Sequence, residues 1–254
     1  MLYTIGSDIK RAIYSKGFLA GTLSMVVVIA LSSLEGIFSS LANSPTLPSG
    51  YHALMIINVL TSEPVMLAVP IIASLPFTSA FVDDIQSGFI KQFLPRSGVN
   101  SYISGKLIAC TLSGGLVISF GIIISYIFSS LVITHMEGPA IEGVIATSYL
   151  ITLFEKLYIF FFSGVFWSLV GFTLASFTQS RYIAYSSPFI IYYVLVIIYE
   201  RYLDFFYYLY PKEWLNPTHL WPLGNGGLII FLLLFAILLS LAFGIFARRK
   251  LING

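Results

Sequence analysis

Six long apolar stretches run through this chain, and they constrain its fold more than any short motif does. A helix needs about 20 residues to cross the hydrocarbon core of a bilayer, and apolar stretches of that order occupy residues 17–38, 64–82, 107–134, 151–177, 182–199 and 228–246. The chain is 57% hydrophobic and 9% charged, against about 25% charged in a soluble domain. Too few polar groups remain to clothe a water-facing surface, so lipid is the solvent for much of the molecule. The pattern predicts an all-α membrane protein with six transmembrane helices in a single unit, residues 1–254, without internal repeat or linker. Lys10, Arg11 and Lys16 precede the first apolar run as they would in a secretory signal, and Ser40-Leu41-Ala42 has the small residues of a cleavage site. The run is longer than the roughly 7–15 residues of a signal core, so it reads as a retained anchor.

The basic residues orient the bundle. With the N-terminus inside, Lys10, Arg11, Lys16, Lys91, Arg96, Lys106, Arg181, Arg248, Arg249 and Lys250 face the cytoplasm, and Lys156, Arg201 and Lys212 face out. That is the positive-inside asymmetry, and it leaves both termini cytoplasmic. Glu35, Glu63, Glu137, Glu142, Glu155, Glu200, Asp204 and Glu213 fall toward the outside, and Asp8, Asp83 and Asp84 inside. Residues 1–16 carry Leu2, Ile5, Ile9, Ala12 and Ile13 on one helical face and Asp8, Lys10 and Arg11 on the other, as an interfacial helix on the inner leaflet would. Pro64, Pro70 and Pro76 are expected to kink the second span. Residues 200–227, dense in Tyr, Phe and Trp and broken by Pro211 and Pro217, read as an outer hairpin dipping among the headgroups.

Several chemistries are missing from the sequence. His52, His135 and His219 lie in separate outer loops, so no H-E-x-x-H metal site forms, and no G-x-S-x-G elbow occurs. The single cysteine, Cys110, excludes an internal disulfide and lies in an apolar stretch, where a buried inert thiol is expected. Neither a basic run nor aromatic–basic interleaving points to nucleic acid. Ser104-Gly105-Lys106-Leu107 looks like the end of a phosphate-binding loop, but Asn100 replaces its first Gly and no Ser or Thr follows Lys106. The chain is therefore expected to be no enzyme, with no cofactor or metal of its own. The spans lack the mid-depth charges common in ion-coupled carriers. Adjacent Glu155 and Lys156 diverge on a helix and read as interfacial.

The loop 83–106 holds most of the remaining chemistry. Ile85, Phe89, Phe93 and Leu94 fall near one helical face, while Asp84, Gln86, Lys91 and Gln92 offer polar contacts. Asp83 and Asp84 suit a helix N-terminus, Gly88 suits a close backbone approach, and Pro95 is expected to end the helix. Such a helix either docks in a partner's groove or lies on the inner leaflet.

Asp84, Gly88, Lys91, Pro95-Arg96 and Gly105-Lys106, in this order between the second and third spans, resemble a pattern in the permease subunits of type-2 ATP-binding-cassette transporters. Many of those have Glu where this chain has Asp84, which keeps the charge and shortens the reach. The resemblance extends over the whole chain through its amphipathic start, six spans and outer hairpin. It implies the type-2 exporter fold, with residues 1–16 as the elbow helix and 200–227 as the re-entrant outer element. It further implies a coupling helix in which Asp83, Asp84, Gly88, Phe89, Lys91, Phe93, Pro95 and Arg96 meet a cytoplasmic ATPase. That ATPase would bind ATP and Mg, and a second permease subunit, identical or paralogous, would complete the pathway in a bacterial plasma membrane. Phe77, Phe81, Tyr192 and Tyr193 are candidate pathway lining, suited to an apolar or amphipathic cargo such as a drug, peptide or lipid. Ser113, Gly114, Gly115, Ser119 and Gly121 predict close packing of the third span. A secondary carrier without ATPase, and a non-transporting sensor or immunity subunit, are the alternative readings.

Overall fold

Four of the six apolar stretches contain no proline and form single long helices; the stretch 182–199 runs unbroken through Pro188, and 64–82 breaks. The computed structural model describes residues 2–43, 47–138 and 144–253, so Glu142 lies outside the described residues. These residues form α1 (Leu2–Ile13), α2 (Lys16–Asn43), α3 (Tyr51–Leu60), α4 (Glu63–Ser74), α5 (Ala80–Gln86), α6 (Phe89–Ser97), α7 (Val99–Ile133), α8 (Val144–Thr178), α9 (Arg181–Tyr202) and α10 (Asn225–Asn253). Among the described residues no strand forms, and an isolated β-bridge joins Leu47 to Glu137. Helices α2, α7, α8, α9 and α10 are each long and apolar enough to cross a membrane.

The second crossing departs from the single kinked helix expected over 64–82. Helix α4 stops at Ser74, residues 75–79 turn, and α5 resumes at Ala80. Pro70 sits inside α4 without ending it. The break falls at Pro76, which has no N–H to give and whose ring crowds the preceding turn. The corner between α1 and α2 fills that break. The Ser15 hydroxyl donates to the Pro76 carbonyl at 3.2 Å and accepts the Phe18 N–H at 3.0 Å, capping α2. Gly17 lies so close to the Leu75 carbonyl that any side chain would strike it.

Charges mark the two ends of this crossing. At one end Arg181 holds Asp83 at 2.5 Å, and at the other Lys212 holds Glu63 at 2.7 Å. Helix α4, the turn and the first residues of α5 thus run between the two ends of the bundle, from Glu63 to about Val82. Helix α3, bent 70° from α4, lies at the Glu63 end. The end carrying Arg11, Lys106 and Arg181 is called the basic end here, and the other the far end. At the far end Glu137 accepts the N–H groups of Gly50 and His52 at 2.9 and 2.8 Å and meets His52 Nδ1 at 2.8 Å. A carboxylate over free N–H groups anchors the start of α3 to the end of α7.

Small residues seat α7 in the bundle, as their spacing predicts. A Cβ on Gly164 of α8 would stand 2.5 Å from the Gly114 carbonyl oxygen, and one on Gly121 would stand 2.5 Å from Met25. Cys110 is buried; Ser168 donates to its carbonyl at 3.3 Å, and its thiol contacts the Ser168 carbonyl at 3.6 Å.

The far-end loop after α9 folds against the bundle. Trp214, Leu215 and Trp221 are buried, and Trp214 packs against Phe166, Trp167 and Phe231. Phe205, Phe206, Leu220 and Leu223 are among the residues left exposed. The reason is Glu213, buried at 2% exposure. Its carboxylate accepts the N–H groups of Thr218 and His219 and the Thr218 hydroxyl, closing the loop on itself. Burial opposes the Glu213 charge, but these donors from His219 and Thr218 outweigh it and hold its pKa below the ordinary 4.5. A depressed folded pKa gives stability that is present above the unfolded value and lost as pH falls through the folded one. Acid titration is therefore expected to shift the tryptophan emission at a pH below 4.5, because Trp167, Trp214 and Trp221 all lie at this loop. Glu213→Gln should lack that transition; an identical acid transition in both proteins would assign it to another group.

Candidate functional site

Three elements meet at the basic end because their polar residues recur at helical spacing. Asp8 and Arg11, three apart, share a face of α1; Tyr102 and Lys106, four apart, share a face of α7. Asp84 of α5 stands between them. Lys106 Nζ lies 2.7 Å from Asp8 Oδ1 and 2.8 Å from Asp84 Oδ2. Tyr102 donates its hydroxyl to Asp84 Oδ2 at 2.8 Å, and Arg11 Nη1 donates to Asp84 Oδ1 at 2.7 Å. The Lys106 ammonium also lies 5.1 and 5.3 Å from the ring centroids of Phe77 and Tyr102, within cation–π range. Lys106 and Asp84 are each 1% exposed. Burial alone would raise the Asp84 pKa, but Lys106 first and Arg11 second hold it below its ordinary value.

This geometry corrects two expectations. Asp8 does not share the water-facing side of α1; it lies on the buried face with Ala12, where Lys106 meets it. Lys106 is not a surface residue of the loop, since α7 begins at Val99 and carries it inside. The Gly105-Lys106 pair thus sits within a helix, not in a phosphate-binding loop. Gly88 has open space around it within this chain: a Cβ there would meet nothing within 4 Å. It is needed for its left-handed backbone, φ 71°, at the start of α6.

The eight residues assigned to coupling separate into two groups. Asp84 is turned inward. Asp83, in the first turn of α5, accepts the Ser79 hydroxyl at 2.9 Å and pairs with Arg181 of α9. Gly88, Phe89, Lys91, Phe93, Pro95 and Arg96 belong to α6 and its hinge. Helix α6 runs through Pro95, which was expected to end it, and stops at Gly98, φ 76° and ψ 150°. Phe89, Lys91, Gln92 and Pro95 are exposed, while Phe93 turns inward onto Tyr102 with centroids 6.0 Å apart and stacks on Phe89 at 5.0 Å. The side chain of Arg96 lies outside the described residues.

The four candidate lining residues do not form one wall. Phe77 and Phe81 are buried at the basic end, where Phe81 packs on Phe243. Tyr192 is buried against Trp167, and Tyr193, its neighbour on α9, is 53% exposed. A cavity of about 360 Å³ instead adjoins the charged cluster, between Thr4, Ser7 and Arg11 of α1 and Phe89 and Phe93 of α6. Sequence reasoning missed Asp8, Arg11, Tyr102 and Lys106 as partners. The available signal was a carboxylate one turn before Ala12, at the edge of the apolar stripe of α1, and a Tyr-x-x-x-Lys step at the start of a long apolar helix. No protein-family model matches the chain, and no curated protein matches its sequence.

Proposed function

We propose that this protein is the membrane subunit of an ATP-driven exporter of the type-2 ATP-binding-cassette kind. The observation that carries the reading is α6. It is a nine-residue amphipathic helix at the basic end, set between two positive-φ glycines, with Phe89, Lys91 and Gln92 facing outward. A short rod of this kind suits a partner's groove, and the positive-inside rule puts the basic end in the cytoplasm. In this reading a separate ATPase binds ATP and Mg there, engages α6, and biases the bundle between two states that it contacts differently. A second permease subunit completes a pathway for an apolar or amphipathic cargo across a bacterial plasma membrane.

The buried Lys106–Asp84 pair favours a second reading, a secondary carrier, because ion-coupled transport uses buried ionisable groups. Its place at the base of the bundle, with both partners already neutralised, supports it less. A photocrosslinker at position 92, exposed beside Lys91, separates the two readings. In native membranes it is expected to capture a protein whose peptides contain a G-x-x-x-x-G-K-[ST] loop, and Lys91→Glu should lower that capture about tenfold without changing the amount of chain in the membrane. Capture of lipid alone would remove the exporter reading.

A further inference from the structure

Asp8 and Arg11 belong to α1, Asp84 to α5 and Lys106 to α7, so two cations and two anions tie together three elements distant in sequence. The cations are not equivalent. The Arg11 side chain is 48% exposed and shares its charge with water, whereas that of Lys106 is 1% exposed. Arg11 contacts Asp84 and not Asp8. Neutrality at Asp8 therefore rests on Lys106, and the chain is shaped to let Asp8 in. Gly105 has no side chain at the point where a Cβ would stand 3.0 Å from Asp8 Oδ2, and the adjacent Thr4 hydroxyl bonds that of Ser101 at 2.8 Å. Gly105-Lys106 thus forms a receptor for one carboxylate of α1. The same Lys106 and Tyr102 hold Asp84, and Tyr102 is the ring on which Phe93 of α6 rests.

We infer that Lys106 is the positioning residue that fastens α1 across the base of α6, and that it does so by charge balance. Removing the ammonium leaves Asp8 without its ion-pair partner, and a buried carboxylate without a partner either leaves or takes up a proton. Helix α1 then lifts, and the wall that it supplies to the 360 Å³ cavity facing α6 goes with it. Removing Asp8 is milder, because Lys106 keeps Asp84 and Arg11 is hydrated. Removing both Asp8 and Lys106 leaves Asp84 paired with Arg11, and the base is neutral again. The inference does not depend on the exporter reading, because it concerns contacts within one chain.

The test is a distance between spin labels at Gly6→Cys, where a side chain meets nothing within 4 Å, and Asn100→Cys, in a Cys110→Ser background in lipid nanodiscs. A single narrow distance is expected with the native cluster and with Asp8→Asn. It should be lost in Lys106→Gln and regained in Asp8→Asn/Lys106→Gln. A narrow distance in Lys106→Gln, or a double variant as broad as the single one, would overturn the inference and leave Lys106 as packing only. If Lys106→Gln does not accumulate, recovered accumulation of the double variant supports charge balance. Failure of the double variant while Asp8→Asn accumulates refutes it.

Discussion

Asp84→Lys is expected to leave almost no folded chain in the membrane. The new ammonium would sit among Lys106 and Arg11, with Asp8 as the nearest remaining anion. Breaking one buried ion pair costs about 3–5 kcal/mol, and here attraction is replaced by repulsion in a site of 1% exposure. Total stabilities are only about 5–15 kcal/mol, so the loss takes most of what is available. Fluorescence-detected size-exclusion of a tagged chain should show the monodisperse peak disappear. Asp83→Lys, one residue away, provides the contrast. Asp83 and Arg181 have side chains 31% and 55% exposed, and a pair of that kind contributes at most about 1 kcal/mol. Equal peaks for the two variants would mean that the Asp84 carboxylate is not buried in the membrane-embedded protein. Lost transport in Asp84→Lys therefore says nothing about a partner; Lys91, exposed on α6, is the residue that can.

Gly164→Val should be the most damaging substitution in the apolar interior. Its Cβ would stand 2.5 Å from the Gly114 carbonyl oxygen and 2.9 Å from Ile118. The oxygen is backbone and cannot rotate away, so α7 and α8 must separate. Overpacking of this kind costs up to about 3 kcal/mol where a core can shift, and at this crossing the small residues are the reason the helices meet at all. A cost of that size lowers the melting temperature by roughly 6–12 °C for a chain of this length. Gly226→Ala, where a Cβ meets nothing within 4 Å, should melt as the native protein does. A melting curve for Gly164→Val unchanged in detergent would show that α7 and α8 do not cross there.

Much of the architecture was legible because long apolar helices need no partner information. Helices α2, α7, α8, α9 and α10 follow from length and hydropathy, and Gly114 and Gly121 announced close packing. Breaks were harder to read. Pro70 and Pro76 look alike in sequence, yet only the second ends a helix, because the Ser15 hydroxyl is there to take its carbonyl. That contact spans 61 residues and leaves no local trace. The far-end loop was hard to read for a related reason: its rings announce an interfacial segment but not the buried Glu213 that closes it on itself. At the candidate site, α6 was visible as an amphipathic segment, although Pro95 was expected to end it and does not. Asp84 was read as an outward contact because its partners Arg11, Tyr102 and Lys106 lie on other helices. Charge in a loop looks exposed until the elements that cover it are known.

The snug seat of Gly17 against the Leu75 carbonyl bears on how the molecule is born. Ribosomal synthesis delivers the first anchor well before the residues that complete its groove, so for that interval it waits in the bilayer as a solitary helix. Its docking becomes complete only when the proline-broken second crossing has entered the lipid and turned Pro76 toward Ser15. A nascent chain stalled before Pro76 should therefore hold its opening helix loosely, where one stalled after Gln86 would already have it clasped.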